Sequence, residues 1–510
     1  MDSWRRALVP IAWIGGGAIA LWLALGHGFV QYDTFYALLW GNEIADGQSP
    51  DYDASLSPTP HPLATLLGLV LSPLGDGAET ATLVLAFVAL AAVAYLVYRL
   101  GAAWFNPWVG VLGAAIMITR QPLLDFGMRA YVDIPYLALL LAALLIETRR
   151  PRCGLPVLAL LAVAGLLRPE AWLFSVAYAL FLAYGDPQLE PESERRTRHG
   201  RARALTGPLV SFLRDRRGLG LTVLAVAAPL VWAIFDLVYA GDPLYSLTGT
   251  RTTVEALGRD TGLAGLVVEG PQRLGEVLRE PVLVGAAIGL VLSLALLRRR
   301  ALIGAVACAV ALAAFSLLAI AGLAVLTRYL LPAATVLAIF CAAAVLGWTC
   351  LERGDPWRAR WAVVGGLVAL LLIAFIPAQV DRLDDLRGSI ATQERLGDDL
   401  HDLADSGAFD PACGPITVPD ERAIPFLALW LDRRPSTIVP VSTEQDEPAT
   451  GGGLSGYFLA AATPEAKEFF TLDRQVQEAG NGGPVPDGFH LLTSNDSWNL
   501  YASCPHSGDR

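Results

Sequence analysis

Along most of this chain apolar residues fall in runs rather than in alternation. Such runs occupy residues 9–25, 81–98, 108–118, 131–146, 155–167, 171–184, 219–240, 282–297, 301–326, 329–350 and 361–377, eleven in all. A bilayer span needs about 20 apolar residues, and several runs are shorter than that. The stretch 155–184 is too long for one helix and is broken only by "RPE" at 168–170. It predicts a hairpin of two spans with its tip outside.

After Pro377 the pattern changes. Val380, Leu383, Leu386, Ile390, Leu396, Leu400 and Leu403 recur mostly at three- or four-residue steps, which predicts an amphipathic helix leaving the membrane. "GPITVP" and "STIVPV" read as strands flanking a helical "IPFLALWL". "FHLLTSNDSWNLYAS" reads as a hairpin turning at Asn495 and Asp496. The expectation is therefore an α-helical polytopic membrane protein of about eleven spans. It divides into a membrane domain at 1–377, with a large outer loop at 26–80, and a small α/β domain at 378–510.

Arginine placement orients the spans. With the N-terminus in the cytoplasm, 20 of the 37 Lys and Arg residues fall in inner loops, among them the run from Arg195 to Arg217; 8 fall in outer loops and 9 in the tail. This is the bias expected of cytoplasmic loops. The first run, about 17 residues long, exceeds a usual signal-peptide core and reads as a retained helix. An odd number of spans then places the tail outside a plasma membrane.

Composition agrees: 54% hydrophobic and 17% charged residues with mean hydropathy +0.49 exclude a soluble protein of this length. The net charge of −11 belongs to the tail, where 22 acids face 9 bases after Pro377, and argues against a nucleic-acid partner. Cys153, Cys308, Cys341 and Cys350 lie in or beside apolar runs and read as packing residues. Cys413 and Cys504 are candidates for a disulfide if the tail is outside the cytoplasm, with two free thiols as the alternative.

Ionisable residues near the membrane sort to one side. Asp33, Glu43, His61, Asp125, Arg129, Asp133, Arg168, Glu170, Asp236, Arg251 and Arg328 all fall at outer ends of spans or in outer loops, and no span carries an acid at its middle. An ion-coupled transporter would place binding groups near the midplane on repeated halves, and no internal repeat is present. Taken singly, each residue has a bland reading: Asp33 as a loop acid or helix cap, Asp133 as a cap, the arginines as headgroup anchors, His61 as an entry residue between two prolines. The pair Asp51 and Asp53 reads as a surface turn ahead of a cation site.

In order along the chain these groups resemble the GT-C glycosyltransferases that use polyprenyl-phosphate-linked sugars, of the protein O-mannosyltransferase and lipid A aminoarabinose transferase type. "YDT" at 32–34 is similar to the "FDE" that follows the first span there. "PHPLATLL" with His61 resembles "HPPL", and "GMRAYVDIPYLALLLA" with Asp133 resembles the opening of the fourth span. "LLRPEAWLF" with Arg168 and "TRYLLPAA" with Arg328 and Tyr329 resemble later motifs. Thr34 stands where the family has a second acid, and the second proline of "HPPL" is missing.

The resemblance implies a transferase that moves a sugar from a polyprenyl-phosphate donor, within membrane lipid, to an acceptor hydroxyl on the outer face. The acceptor is protein, lipid or wall polysaccharide. A polyprenyl phosphate leaves readily, so one carboxylate, Asp33, suffices as base, and attack opposite the phosphate implies inversion. Asp133, the second catalytic candidate, orients the acceptor or positions a basic group. Arg168 and Arg328, with Arg129 as third choice, hold the phosphate. Tyr32, His61 and Tyr329 complete the substrate-binding set. No cofactor is required, and a divalent cation is compatible with the scheme. The competing readings are a transporter or flippase of a lipid-linked solute, and an assembly scaffold.

Overall fold

A computed structural model describes residues 2–26, 28–184, 209–441, 455–469 and 485–504. The part of the basic run at 195–208 therefore lies outside the described residues. Each of the eleven apolar runs is helical in the structure. Among the described residues, seven helices are long and apolar enough to cross a membrane, or eight if the pair Pro107–Ile118 and Gln121–Met128, bent by 65°, counts as one span. The chain is thus a multi-pass membrane protein. Helices Leu155–Gly165 and Glu170–Tyr184 form the short hairpin around Arg168 and stay below that length.

The innermost helix is Leu331–Leu346, "LPAATVLAIFCAAAVL". Thirteen of its sixteen residues are buried. A helix apolar on every side has no face to offer water and is driven to the centre. Its small residues let neighbouring backbones come close. A side chain at Gly289 on the adjoining helix Gly262–Leu296 would collide with the Phe340 carbonyl oxygen. Pro332 in its first turn fixes where the helix starts, and a short 3-10 turn, Thr327–Leu330, leads into it. Arg328 and Tyr329 ride on that turn and so take their positions from the best-packed element of the fold.

The stretch 26–80, expected as an outer loop, holds two helices, Tyr32–Ala45 and Pro62–Leu71. They cross closely at Gly41 and Gly68, where a Cβ on either would overlap the other's backbone. Phe35, Tyr36 and Trp40 of the first helix are buried, because the tail closes over them. One hydrophobic core joins Val30, Phe35 and Trp40 to Leu396, Leu400, Ile416, Ile424 and Trp498. The Phe35 ring lies 4.3 Å from that of Phe426.

Beyond helix Pro356–Ala374 the chain continues as a 30-residue helix, Ile376–Asp405, matching the expected amphipathic element. It leads to a five-stranded sheet in the order β2-β1-β3-β5-β4, with β1 Ile416–Val418, β2 Ile438–Pro440, β3 Gly456–Ala461, β4 His490–Ser494 and β5 Trp498–Ser503. β1 runs parallel to β2 and β3, whereas β3–β5 and β5–β4 are antiparallel. The turn at Asn495 closes through its N–H to the Trp498 carbonyl at 2.9 Å. Cys413 and Cys504 are disulfide-bonded, with Cα atoms 4.8 Å apart. Asp51 accepts hydrogen bonds from the Ser436 N–H at 3.0 Å and hydroxyl at 2.5 Å, and its other oxygen accepts the Asp53 N–H at 3.1 Å. Asp51 thereby clamps the stretch 26–80 to the tail.

Candidate active site

Asp33 sits in the first turn of helix Tyr32–Ala45, where a carboxylate favours the helix dipole. Gln31 caps the helix by accepting the Asp33 N–H through its side chain at 3.0 Å. The approach to the helix is pinned to residues 128–130. The Phe29 N–H donates to Met128 O at 3.0 Å, the Gln31 N–H to Arg129 O at 3.1 Å, and the Thr34 hydroxyl to Ala130 O at 2.8 Å. Thr34, which departs from the family motif, thus serves as a donor tether that an ionised carboxylate could not be.

Arg328 Nη1 meets Asp33 Oδ2 at 3.1 Å, with both side chains about a quarter exposed. Among the described residues, Arg328 Nε is buried without a hydrogen-bond acceptor. Its guanidinium also lies 5.7 Å from the centre of the Tyr329 ring and 5.8 Å from that of Tyr131. Thr327 anchors the turn by donating to Glu276 at 2.7 Å.

Arg168 is committed differently. Its Nη1 pairs with Asp133 at 2.8 Å and its Nη2 with Glu170 at 2.7 Å, all three side chains at most 5% exposed. The other face of the guanidinium covers the Tyr329 ring at 4.6 Å. Asp133 therefore faces Arg168. Arg129 pairs with Asp125 at 2.7 Å and donates to Gln393 at 2.9 Å. Tyr32 donates to Leu56 O at 3.1 Å, and burial with the nearby Tyr36 raises its pKa well above the ordinary value, keeping the hydroxyl neutral. Burial, then Arg168, pushes the His61 pKa down to about 3 against the opposing pull of Asp33, so the ring is a neutral hydrogen-bonding group at physiological pH. It lies edge-on to Trp232 at 5.6 Å.

Two cavities meet at Asp33. The smaller, about 130 Å³, is lined by Tyr32, Asp33, His61, Arg168, Arg328 and Tyr329, with Leu318 and Leu323 as apolar wall. The larger, about 460 Å³, is lined on the membrane side by Asp33, Arg129, Tyr131 and Arg328, and on the tail side by His401, Arg422, Phe426 and Trp430. The structure thus gathers seven of the eight site residues expected from sequence around one junction. Asp133 lines neither cavity and stands behind Arg168. Among the described residues no group of three or more His, Cys, Asp or Glu is arranged to hold a metal ion.

Two contributors have no counterpart in the sequence reading. Arg259 lines both cavities, and Arg422 reaches the larger one from the tail. Arg259 follows Gly258 in a stretch that also carries Arg251, Arg273 and Arg279, so its charge did not single it out. Nothing in the local sequence marks Arg422.

No protein-family model matches the chain, and no curated protein matches it. Solved structures do. ArnT from Cupriavidus metallidurans bound to undecaprenyl phosphate superposes with a TM-score of 0.57 at 12% identity, over 99% of each chain. The same protein in the apo state gives 0.51 at 12% identity over 98% of each. The likeness covers nearly the whole of both chains, so this chain shares the overall fold of that protein.

Proposed function

We propose that the chain transfers a sugar from a polyprenyl-phosphate donor to an acceptor hydroxyl on the outer face of the plasma membrane, with inversion and with Asp33 as base. The observation that carries this reading is the Asp33–Arg328 pair standing where the two cavities meet. The smaller cavity combines guanidinium groups with an apolar wall, as a lipid phosphate requires. The larger is polar and bounded by the tail, as an acceptor requires. A neighbour of the same fold was solved with undecaprenyl phosphate, which supports the donor class.

In the free enzyme Arg328 is held by Asp33. A donor phosphate competes for that guanidinium and also offers an acceptor to its unpartnered Nε–H. Asp33 is then released to take the acceptor proton as the acceptor oxygen bonds to the anomeric carbon. The carbon–oxygen bond to phosphate breaks on the opposite side, and polyprenyl phosphate departs against Arg328. Arg168, saturated by Asp133 and Glu170, adds field and fixes Tyr329 rather than rotating toward the ligand. Guanidinium groups take the charge-stabilising role here, and the described residues offer no cluster fitted to a divalent cation, so no step is routed through one.

The positive-inside bias and the Cys413–Cys504 bond both favour an extracytoplasmic tail. The test is release of polyprenyl phosphate from a panel of polyprenyl-phosphate sugars by protein in nanodiscs, with an envelope extract as acceptor source. Consumption that disappears in Asp33→Asn is the expected result. No consumption of any donor would shift the reading to a transporter or flippase.

A further inference from the structure

Away from both cavities, three arginines on separate elements come together, none of them in an ion pair among the described residues. Arg120 sits at the break between helices Pro107–Ile118 and Gln121–Met128 and is 9% exposed. Its guanidinium is held only by neutral acceptors: Nε donates to Ile116 O at 3.0 Å, Nη1 to Leu278 O at 3.3 Å and Nη2 to the Thr119 hydroxyl at 3.1 Å. Leu278 precedes Arg279, a non-glycine residue at φ +63° where helix Gly262–Leu296 kinks. Arg382 arrives on helix Ile376–Asp405, which is docked one turn earlier by Gln379 donating to Thr119 O at 2.8 Å.

Arg382 and Arg279 are both among the charges acting on Arg120. Arg382 Nη1 is buried with no hydrogen-bond partner. Among the described residues none of the three arginines is ion-paired. Like charges brought together at the ends of apolar helices, poorly hydrated and without a counter-ion, are unfavourable unless an anion joins them. The backbone strain at Arg279 is a further cost carried at the same place.

We infer that Arg120, Arg279 and Arg382 form a second anion site, separate from the Asp33 centre, that binds a phosphate group at the membrane boundary. Forked guanidinium donors suit phosphate oxygens, and the site lies where helix Pro356–Ala374 gives way to helix Ile376–Asp405, the level of lipid headgroups. A bound phosphate would fix the base of the latter helix. Eleven residues on, about 16 Å at 1.5 Å per residue, the same helix carries Gln393, the partner of Arg129, and further along it carries His401 of the larger cavity. Occupancy of the boundary site thereby sets one wall of that cavity.

The test is native mass spectrometry of delipidated protein titrated with phosphatidylglycerol, with phosphatidylcholine as the zwitterionic comparison and inorganic phosphate as competitor. Phosphatidylglycerol should bind in preference. Arg279→Gln and Arg382→Gln should each weaken it about five-fold, Arg382→Lys should restore most of the loss, and Arg387→Gln on the exposed side of the same helix should leave binding unchanged. Displacement by inorganic phosphate would identify the phosphate group alone as sufficient. Resistance to displacement with the same variant losses would assign the intact lipid headgroup. Equal binding by wild type and both Gln variants, or equal affinity for the two lipids, would overturn the site. Arg382 is half-buried on a helix surface, so Arg382→Gln decides the matter if Arg279→Gln fails to fold.

Discussion

Replacing Asp33 by Asn separates a chemical role from a structural one, because the two carry very different magnitudes at this position. Asn keeps the side-chain volume, leaves the backbone N–H free for Gln31, and still offers Arg328 a neutral oxygen. What is lost for folding is an ion pair with both partners about a quarter exposed, worth at most about 1 kcal/mol, and a carboxylate near a helix N-terminus, worth about 0.3–1 kcal/mol. Such a loss should move the melting temperature by only about 2–4 °C. Loss of a general base costs about 10²–10⁴ in rate, or roughly 3–5 kcal/mol on the barrier. The assay is polyprenyl phosphate released per minute in nanodiscs at saturating donor, with melting measured on the same preparation. Turnover falling at least about a hundredfold with the melting point nearly held is the expected outcome. Turnover within a factor of about three of wild type would refute Asp33 as base, and a collapse of both would show that Asp33 is structural.

Three further outcomes follow from the geometry. Arg168→Gln leaves Asp133 and Glu170 buried without their counter-charge and should cost about 3–5 kcal/mol of stability; a melting temperature close to wild type in detergent would contradict the buried triad. Because the His61 pKa is depressed to about 3 from 6.5, the unfolded chain binds a proton that the folded chain refuses between those values, so His61 draws down stability as pH falls from 6.5 toward 3; His61→Gln should flatten that part of a melting-versus-pH profile, and an unchanged profile would rule this out. The Cys413→Ser/Cys504→Ser double variant opens a loop with sequence separation 91, for which chain entropy predicts a loss near 4–5 kcal/mol, and reductant should lower the wild-type melting point but not that of the variant.

The apolar runs were easily read because a bilayer imposes one rule on every span: twenty or so residues with nowhere to hide a charge. Arg328 and Tyr329 were legible for a related reason, since a basic-aromatic pair abutting "LLP" at the head of an all-apolar run stands out. Helix Tyr32–Ala45 was not. Its apolar residues carry no one-sided stripe, since membrane helices cover one side and the tail covers another, so "FYALLWGNEIA" looks like an irregular connection. β3, the central strand, was missed likewise: "GYFLAA" is buried on both faces and lacks alternation. Arg422 could not be found because its place in the cavity depends on a docking across nearly four hundred residues of sequence. Asp133 was placed correctly at a helix start, but sequence could not tell whether it faced ligand or Arg168.

The core shared by residues near Phe35 and residues beyond Leu396 has a consequence in time. A ribosome makes Asp33 long before Leu396, Arg422 and Trp498, which bury its helix and wall its cavity. While the intervening spans are being inserted, Phe35, Tyr36 and Trp40 have no cover, and the larger cavity lacks its tail side. The larger cavity thus acquires its second side only after Arg422 and Trp430 have been made and docked, however early Asp33 is in place.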